Sequence, residues 1–295
     1  MRVYSYVDIV KSYYYLAKPG IVYGNAITAI AGFFLATDGT FNVGLFVAML
    51  VGICLVMASG CVFNNYIDRG IDKKMARTKK RALVSGKISG QSALVYGTIL
   101  GVIGFGSLVL WTNWLTVAAA AVGFVDYVVL YGIAKRGTVH GTVVGSIAGA
   151  VPPVVGYVAV TNQFDMGALL LFLILVCWQM PHFYAIATYR LKDYKAAGIP
   201  VLPAVSGERI AKVTILAYVI LFAIMATLLY TNGYTNIVYL VVMLLLSVAW
   251  FWLGVRGFHT ANNAAWAKKM FKFSLIVLLT FSVLISFGRH AIILL

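Results

Sequence analysis

The sequence predicts an all-α polytopic membrane protein: nine transmembrane helices bundled around a central cavity, forming one integral-membrane domain over residues 1–295. Three observations carry that prediction. The 295 residues are 62% hydrophobic and only 11% charged, with mean hydropathy +0.94, far outside soluble globular composition. The apolar residues fall into successive runs close to the ~20 residues a helical span needs. The connections alternate between short, turn-like segments and longer ones rich in Lys and Arg.

The runs place helices near 19–37, 42–65, 92–111, 114–134, 141–161, 166–189, 210–230, 235–256 and 272–291, with no linker or low-complexity segment between them. One set of connections (TDGT, WTN, TNQFD, TNGYTN) is uncharged or acidic, whereas the other side collects 22 of the 23 Lys and Arg, leaving only Arg289 opposite. By the positive-inside rule the N-terminus and the basic loops are cytoplasmic and the C-terminus is outside, in the inner membrane of a bacterial or archaeal cell. The net charge of +15 is then a one-sided field beside the lipid bilayer, not a nucleic-acid signature. It attracts anionic headgroups, and equally an anionic substrate arriving from the cytoplasm. The first eighteen residues carry Arg2, Asp8, Lys11, Lys18 and the Tyr13–Tyr15 cluster, without the features of a signal peptide, so the N-terminus is expected to be retained.

Within the spans, Cys54, Cys61 and Cys177 read as buried small hydrophobes, with no disulfide or zinc site. Gly141, Gly145, Ser146 and Gly149 permit close helix approach in lipid. Pro152, Pro153 and Pro181 are expected to break or kink their helices and free backbone carbonyls, which suggests a cavity to satisfy them.

The densest polar stretch is Asn64 to Arg81, NNYIDRGIDKKMARTKKR. On a helix Asn64, Asp68 and Asp72 fall at i, i+4 and i+8, hence on one face. Two carboxylates a turn apart repel unless a cation lies between them. Hard oxygen ligands suit Mg²⁺, which takes one or two carboxylates and completes its octahedron with water and substrate phosphate oxygens. Arg77, Lys79, Lys80 and Arg81 follow, and Arg clasps phosphate bidentately. A topogenic basic loop explains the cations individually, but not the register of the acidic row.

A second polar cluster ends the sixth span, WQMPHFYAIATYRLKDYKAAGIPVLP, with Gln179 and His182 inside and Tyr189 and Asp193 four apart at its end. This half mirrors the first with one carboxylate, suited to a second metal or to orienting the same diphosphate. His182 is an ionisable group well inside a span, and Asp126 is another, for which pairing is as good an account as catalysis. His140, His259 and His290 lie at span ends or in loops and receive no role.

The Asn64, Asp68, Asp72 row with Arg77 and Arg81 resembles the first Asp-rich motif of the UbiA superfamily of intramembrane prenyltransferases. CVFNNYID at 61–68, GAVPPVVGY at 149–157, WQMPHFYAIA at 178–187 and DYKAAGIPVLP at 193–203 are similar to its haem-farnesylating branch, and the likeness runs from LAKPGIVYGN at 16–25 into the ninth span. The resemblance implies a UbiA-like bundle around a cavity open to lipid, with farnesyl diphosphate bound through Mg²⁺ and haem b as acceptor. Loss of diphosphate would leave an allylic cation, attacked by a haem vinyl group, with water completing the product, haem O. That product would pass to a haem-modifying or terminal-oxidase assembly partner. By carry-over Asn64, Asp68 and Asp72 hold metal and diphosphate; Arg77, Arg81, Lys135 and Asp193 complete the diphosphate site; Gln179, His182 and Tyr189 line the acceptor side. Gly70, where relatives have a further acidic residue, and Ala82, where a Pro is usual, depart from the pattern without touching the row. A quinone-precursor or other aromatic acceptor fits the acidic motif equally well, and a transporter is a third reading.

Overall fold

The computed structural model describes residues 5–288; Arg2, Arg289, His290 and the C-terminal residues lie outside them. Among the described residues nine helices are long and apolar enough to cross a membrane. A short helix α1 (Tyr6–Leu16) precedes α2 (Pro19–Ala36), α3 (Val43–Asp72) and α4 (Gly90–Trp111). The fourth span is continuous but composite: α5 (Trp114–Val125), a π-turn over Asp126–Leu130, and α6 (Tyr131–Gly137). Then come α7 (Gly141–Thr161), α8 (Met166–Tyr189), two short helices α9 (Leu191–Ala197) and α10 (Leu202–Val205), α11 (Gly207–Thr231), α12 (Ile237–Val255) with a 3₁₀ extension to His259, and α13 (Asn263–Ser286).

The turn motifs at the uncharged end double as helix caps. Asn42, Asn113, Asp165 and Asn236 each accept a hydrogen bond from a backbone N–H in the first turn of α3, α5, α8 and α12. These satisfy amides that lipid leaves without partners. Asn113 also donates to the Val158 carbonyl at 2.7 Å, tying α5 to α7.

The last span begins nine residues before the hydropathy boundary at 272. Asn262 caps it, Trp266 and Met270 are buried, and Lys268 and Lys269 stay on the exposed side. An amphipathic extension beyond the bilayer keeps its helix without raising mean hydropathy. The prolines do not break their helices either: α7 and α8 run unbroken through Pro152, Pro153 and Pro181.

α7 and α8 form the centre, 61% and 67% buried over their apolar windows, against 22–33% for six of the other spans. Close crossings depend on glycine at particular places. A Cβ on Gly32 would run into the Pro153 carbonyl oxygen, and one on Gly156 into the Ala29 carbonyl oxygen, so α2 and α7 touch backbone to backbone. α3 and α4 pack through Gly52 and Gly104, and Ser59 Oγ donates to the Gly97 carbonyl at 2.7 Å. The expected small-residue row of α7 works differently: Gly145 makes room for the Tyr131 ring and Gly149 for the Gln179 amide. There, side chains occupy the space that a neighbouring helix was expected to fill.

Candidate active site

α3 continues well beyond its most apolar part, and this extension carries the acidic row. Asn64, Asp68 and Asp72 project from one face and are buried, at 2%, 1% and 4% exposure. Buried carboxylates need partners, and side-chain cations supply them from three directions. Asp68 Oδ2 accepts from Lys135 Nζ at 2.6 Å and its Oδ1 from Arg136 at 3.3 Å. Asp72 Oδ2 accepts from Arg81 at 2.7 Å. Asn64 Oδ1 accepts from Lys18 Nζ at 2.6 Å. The Asn64 Nδ2 group is buried with no partner.

Local structure explains these placements. Thr78 Oγ1 donates to the Asp72 carbonyl, curling the basic loop back so that Arg81 reaches both Asp72 and Asn65 Oδ1. Asn65 in turn donates to the Leu16 carbonyl at 2.7 Å, which anchors the entry to α2. Lys18 there adopts φ 51°, ψ 62°, a left-handed conformation for a residue preceding proline, which normally takes an extended one. Such strain costs on the order of 1–3 kcal/mol and persists where surrounding contacts hold it. Burial pushes the Lys18 ammonium down to about 8, leaving it charged at neutral pH.

The row faces a cavity of about 670 Å³, lined also by Arg77, Lys135, Gln179 and His182. Volumes in this range suit organic ligands. Its charged liners are Lys18, Asp68, Asp72, Arg77, Arg81 and Lys135, of which Lys18, Arg81 and Lys135 contact the row, and the remaining wall is largely apolar. Gln179 lines the cavity while its amide donates to the Ser146 and Leu175 carbonyls, joining α8 to α7. Asp126 is buried in the π-turn, where Oδ2 accepts from the Ala148 backbone N–H, a helix-to-helix tie in place of a cation partner.

Two sequence-predicted positions stand apart. Tyr189 and Asp193 are not among the residues lining the cavity. α8 ends at Tyr189 and α9 starts at Leu191, and the Arg190 junction (φ −105°, ψ 16°) breaks the four-residue register expected to align them. Tyr189 packs on Phe271, and Asp193 lies 4.0 Å from Arg190. The next residue, Tyr194, does line the cavity.

Residues beside the row that the sequence analysis did not single out as part of the site include Lys18, Arg136, Tyr127 and Tyr131. The last two had a legible signal, because Tyr127, Tyr131 and Lys135 repeat every four residues, like the acidic row. In the structure the two rings stack at 5.8 Å, with Lys18 over Tyr127 and Lys135 over Tyr131.

Among the described residues no group of three or more His, Cys, Asp or Glu side chains converges as a self-sufficient metal site. The two carboxylates and the amide oxygen of Asn64 are the hard oxygen donors that suit Mg²⁺, with substrate phosphates and water completing the shell, and the unpartnered Asn64 Nδ2–H is a donor suited to a phosphate oxygen or a metal-bound water.

Comparison with known proteins agrees with this architecture. Residues 25–276 match the model of the UbiA prenyltransferase family. Protoheme IX farnesyltransferase of Serratia proteamaculans is 50% identical over 284 residues, covering 96% of each chain. That of Protochlamydia amoebophila is 48% identical, covering 95% of this chain and 99% of its own. Among solved structures, a digeranylgeranylglyceryl phosphate synthase superposes with TM-score 0.78 at 20% identity, covering 95% of this chain and 98% of that one. A UbiA homologue from Archaeoglobus fulgidus bound to DMAPP and Mg²⁺ gives 0.71 at 14% identity, covering 90% and 99%. At those identities the structures establish the fold, and the full-length likeness in sequence establishes the lineage. The chain belongs to the UbiA prenyltransferase family.

Proposed function

We infer that the chain is an intramembrane prenyltransferase that transfers the farnesyl group of farnesyl diphosphate to a vinyl group of haem b, giving haem O. The observation that carries the chemistry is the buried Asn64–Asp68–Asp72 row, ringed by cations and opening on a largely apolar cavity. Asp68, Asp72 and Asn64 would hold Mg²⁺, a role supported by the Mg²⁺ and DMAPP bound to the Archaeoglobus fulgidus homologue. Mg²⁺ supplies Lewis-acid stabilisation of charge on a departing diphosphate. Asp193, the acidic residue of α9, lies 4.0 Å from Arg190.

Arg77, Arg81, Lys135 and Lys18 are the groups placed to receive the diphosphate oxygens. The C–O bond to diphosphate breaks, and farnesyl C1 bonds to the vinyl carbon. Water then adds to the resulting cation and releases a proton. Apolar walls keep water from the allylic cation before the vinyl group reaches it, and the Tyr127 and Tyr131 rings add cation–π stabilisation. The one-sided charge orients the active site and N-terminus to the cytoplasm, in a bacterial inner membrane, with the nine spans acting as one catalytic domain. Protein in nanodiscs, given farnesyl diphosphate, Mg²⁺ and either haem b or an aromatic acid, is expected to yield a farnesylated product with haem alone. Absence of any haem-dependent product rejects the assignment.

Arg81 and Lys135 pair with the carboxylates that the metal needs. Diphosphate offers those cations a better partner, so metal and diphosphate should bind cooperatively. Calorimetry is expected to show weak Mg²⁺ binding alone and at least about tenfold tighter binding with pyrophosphate, a coupling of about 1.4 kcal/mol. Equal Mg²⁺ affinity with and without pyrophosphate would contradict the exchange.

A further inference from the structure

Trp178, His182, Phe271 and Ser274 form an assembly between α8 and α13 that takes no part in the diphosphate chemistry. His182 Nδ1 lies 2.8 Å from Ser274 Oγ. The same hydroxyl donates to the Phe271 carbonyl at 2.6 Å. A hydroxyl has one hydrogen, and here it is committed to a carbonyl that can only accept. With the hydroxyl hydrogen on that carbonyl, Nδ1 is the donor to Ser274 Oγ, an arrangement that puts the imidazole proton on Nδ1 and the lone pair on Nε2.

The ring is also held in place. Trp178 stacks on it at 4.7 Å with a 27° interplanar angle, and the indole N–H donates to the Ser274 carbonyl at 2.8 Å. Phe271 packs tilted against the imidazole, with ring centroids 4.9 Å apart. Nε2 has no hydrogen-bond partner among the described residues, yet it is not one of the sealed, unpartnered atoms of the interior, and His182 lines the cavity. A histidine serving only the core would have both nitrogens satisfied or enclosed. This one presents an oriented lone pair to a ligand chamber.

We propose that His182 Nε2 is the axial ligand to the iron of the haem acceptor. The proposal rests on haem being the substrate and adds how it is held. A neutral imidazole whose Nδ1–H is fixed by a hydrogen bond is the usual form of a metal-ligating histidine, and its partner sets ring orientation and ligand basicity. His182 lies seven residues before the end of α8, roughly 10 Å into the span, whereas Asp72 ends α3 at the same charged face. Iron held by His182 would set the porphyrin against the apolar walls of the same cavity that the acidic row lines. The bond also favours an iron porphyrin over the metal-free ring, a selectivity that shape alone does not provide.

The test is titration of haem b into the protein in nanodiscs, followed by optical absorption, magnetic circular dichroism and electron paramagnetic resonance. Wild type is expected to give a histidine-ligated spectrum. His182→Ala should lose that signature and bind haem at least about tenfold more weakly, with added imidazole restoring the spectrum. Metal-free protoporphyrin IX should bind both proteins equally. Ser274→Ala keeps the ligand but should weaken haem binding on the order of tenfold and shift the spectrum. It keeps the test decisive if His182→Ala does not fold, since an unshifted Ser274→Ala spectrum overturns the proposal, as does a wild-type spectrum in His182→Ala. Farnesylation of haem by wild type, measured alongside, separates the two levels. Turnover together with an unaltered His182→Ala spectrum rejects the ligand and leaves the acceptor standing, whereas no haem-dependent turnover rejects the acceptor and the ligand with it.

Discussion

Asp68→Asn is expected to lower kcat/KM by about 10³-fold or more, the scale associated with losing a preorganised electrostatic contact to the transition state. The substitution keeps the side chain's shape and removes its charge, so the loss reports metal and diphosphate binding rather than packing. It also strips the counter-ion from Lys135 at 2.6 Å and Arg136 at 3.3 Å. Breaking a fully buried pair costs about 3–5 kcal/mol, and the cost here is smaller because Arg136 is partly exposed and turns to water. Asp68→Asn with Lys135→Met should recover stability without recovering activity, since the unpaired ammonium is gone but the metal ligand is still missing. Thermal unfolding and steady-state kinetics on the two variants separate these effects. Near-normal turnover of Asp68→Asn at low Mg²⁺ would remove the metal role from this carboxylate.

Gly156→Ala is expected to be the most damaging single-methyl change in the bundle. The added Cβ meets the Ala29 carbonyl oxygen and approaches the Phe33 backbone nitrogen to 2.8 Å. Backbone atoms cannot rotate aside, so α2 must move away from α7 as a unit. Overpacking ordinarily costs about 1–3 kcal/mol, and a rigid crossing belongs at or above the upper end. Because α2 begins beside Lys18, whose ammonium bonds Asn64, the displacement should reach the active site and lower activity as well. Gly32→Ala meets Pro153 at the same crossing, and the two changes together should be less than additive. Gly106→Ala, where a Cβ meets nothing within 4 Å, provides the control and should be neutral or slightly stabilising. Equal thermal midpoints for Gly156→Ala and Gly106→Ala would show that the crossing is softer than its geometry implies.

How far the site was legible in the chain follows from the range of each interaction. Asn64, Asp68 and Asp72 are one helix apart from nothing but themselves, so their alignment is a matter of 3.6-residue periodicity and could be read directly. The Tyr189–Asp193 pair used the same rule and did not align, because Arg190 interrupts the helix between them. Nothing in a window of a few residues announces that break. Lys18 looked like any topogenic lysine, since a positive-inside bias supplies such residues for another reason. Only its contact with Asn64, 46 positions away in sequence, reveals its place in the row.

The sequence by itself determined the membrane-spanning α-helical class, the one-sided charge, the acidic ligand row and the resemblance that carries the function, because composition and helical period act locally along the chain. Only the tertiary structure decided which cations neutralise that row, how closely α2 and α7 cross, and that Ser274 is the partner of His182 Nδ1. Those outcomes depend on hydrogen bonds and van der Waals contacts between helices far apart in sequence. Side-chain chemistry fixed the possible partners, and packing selected among them.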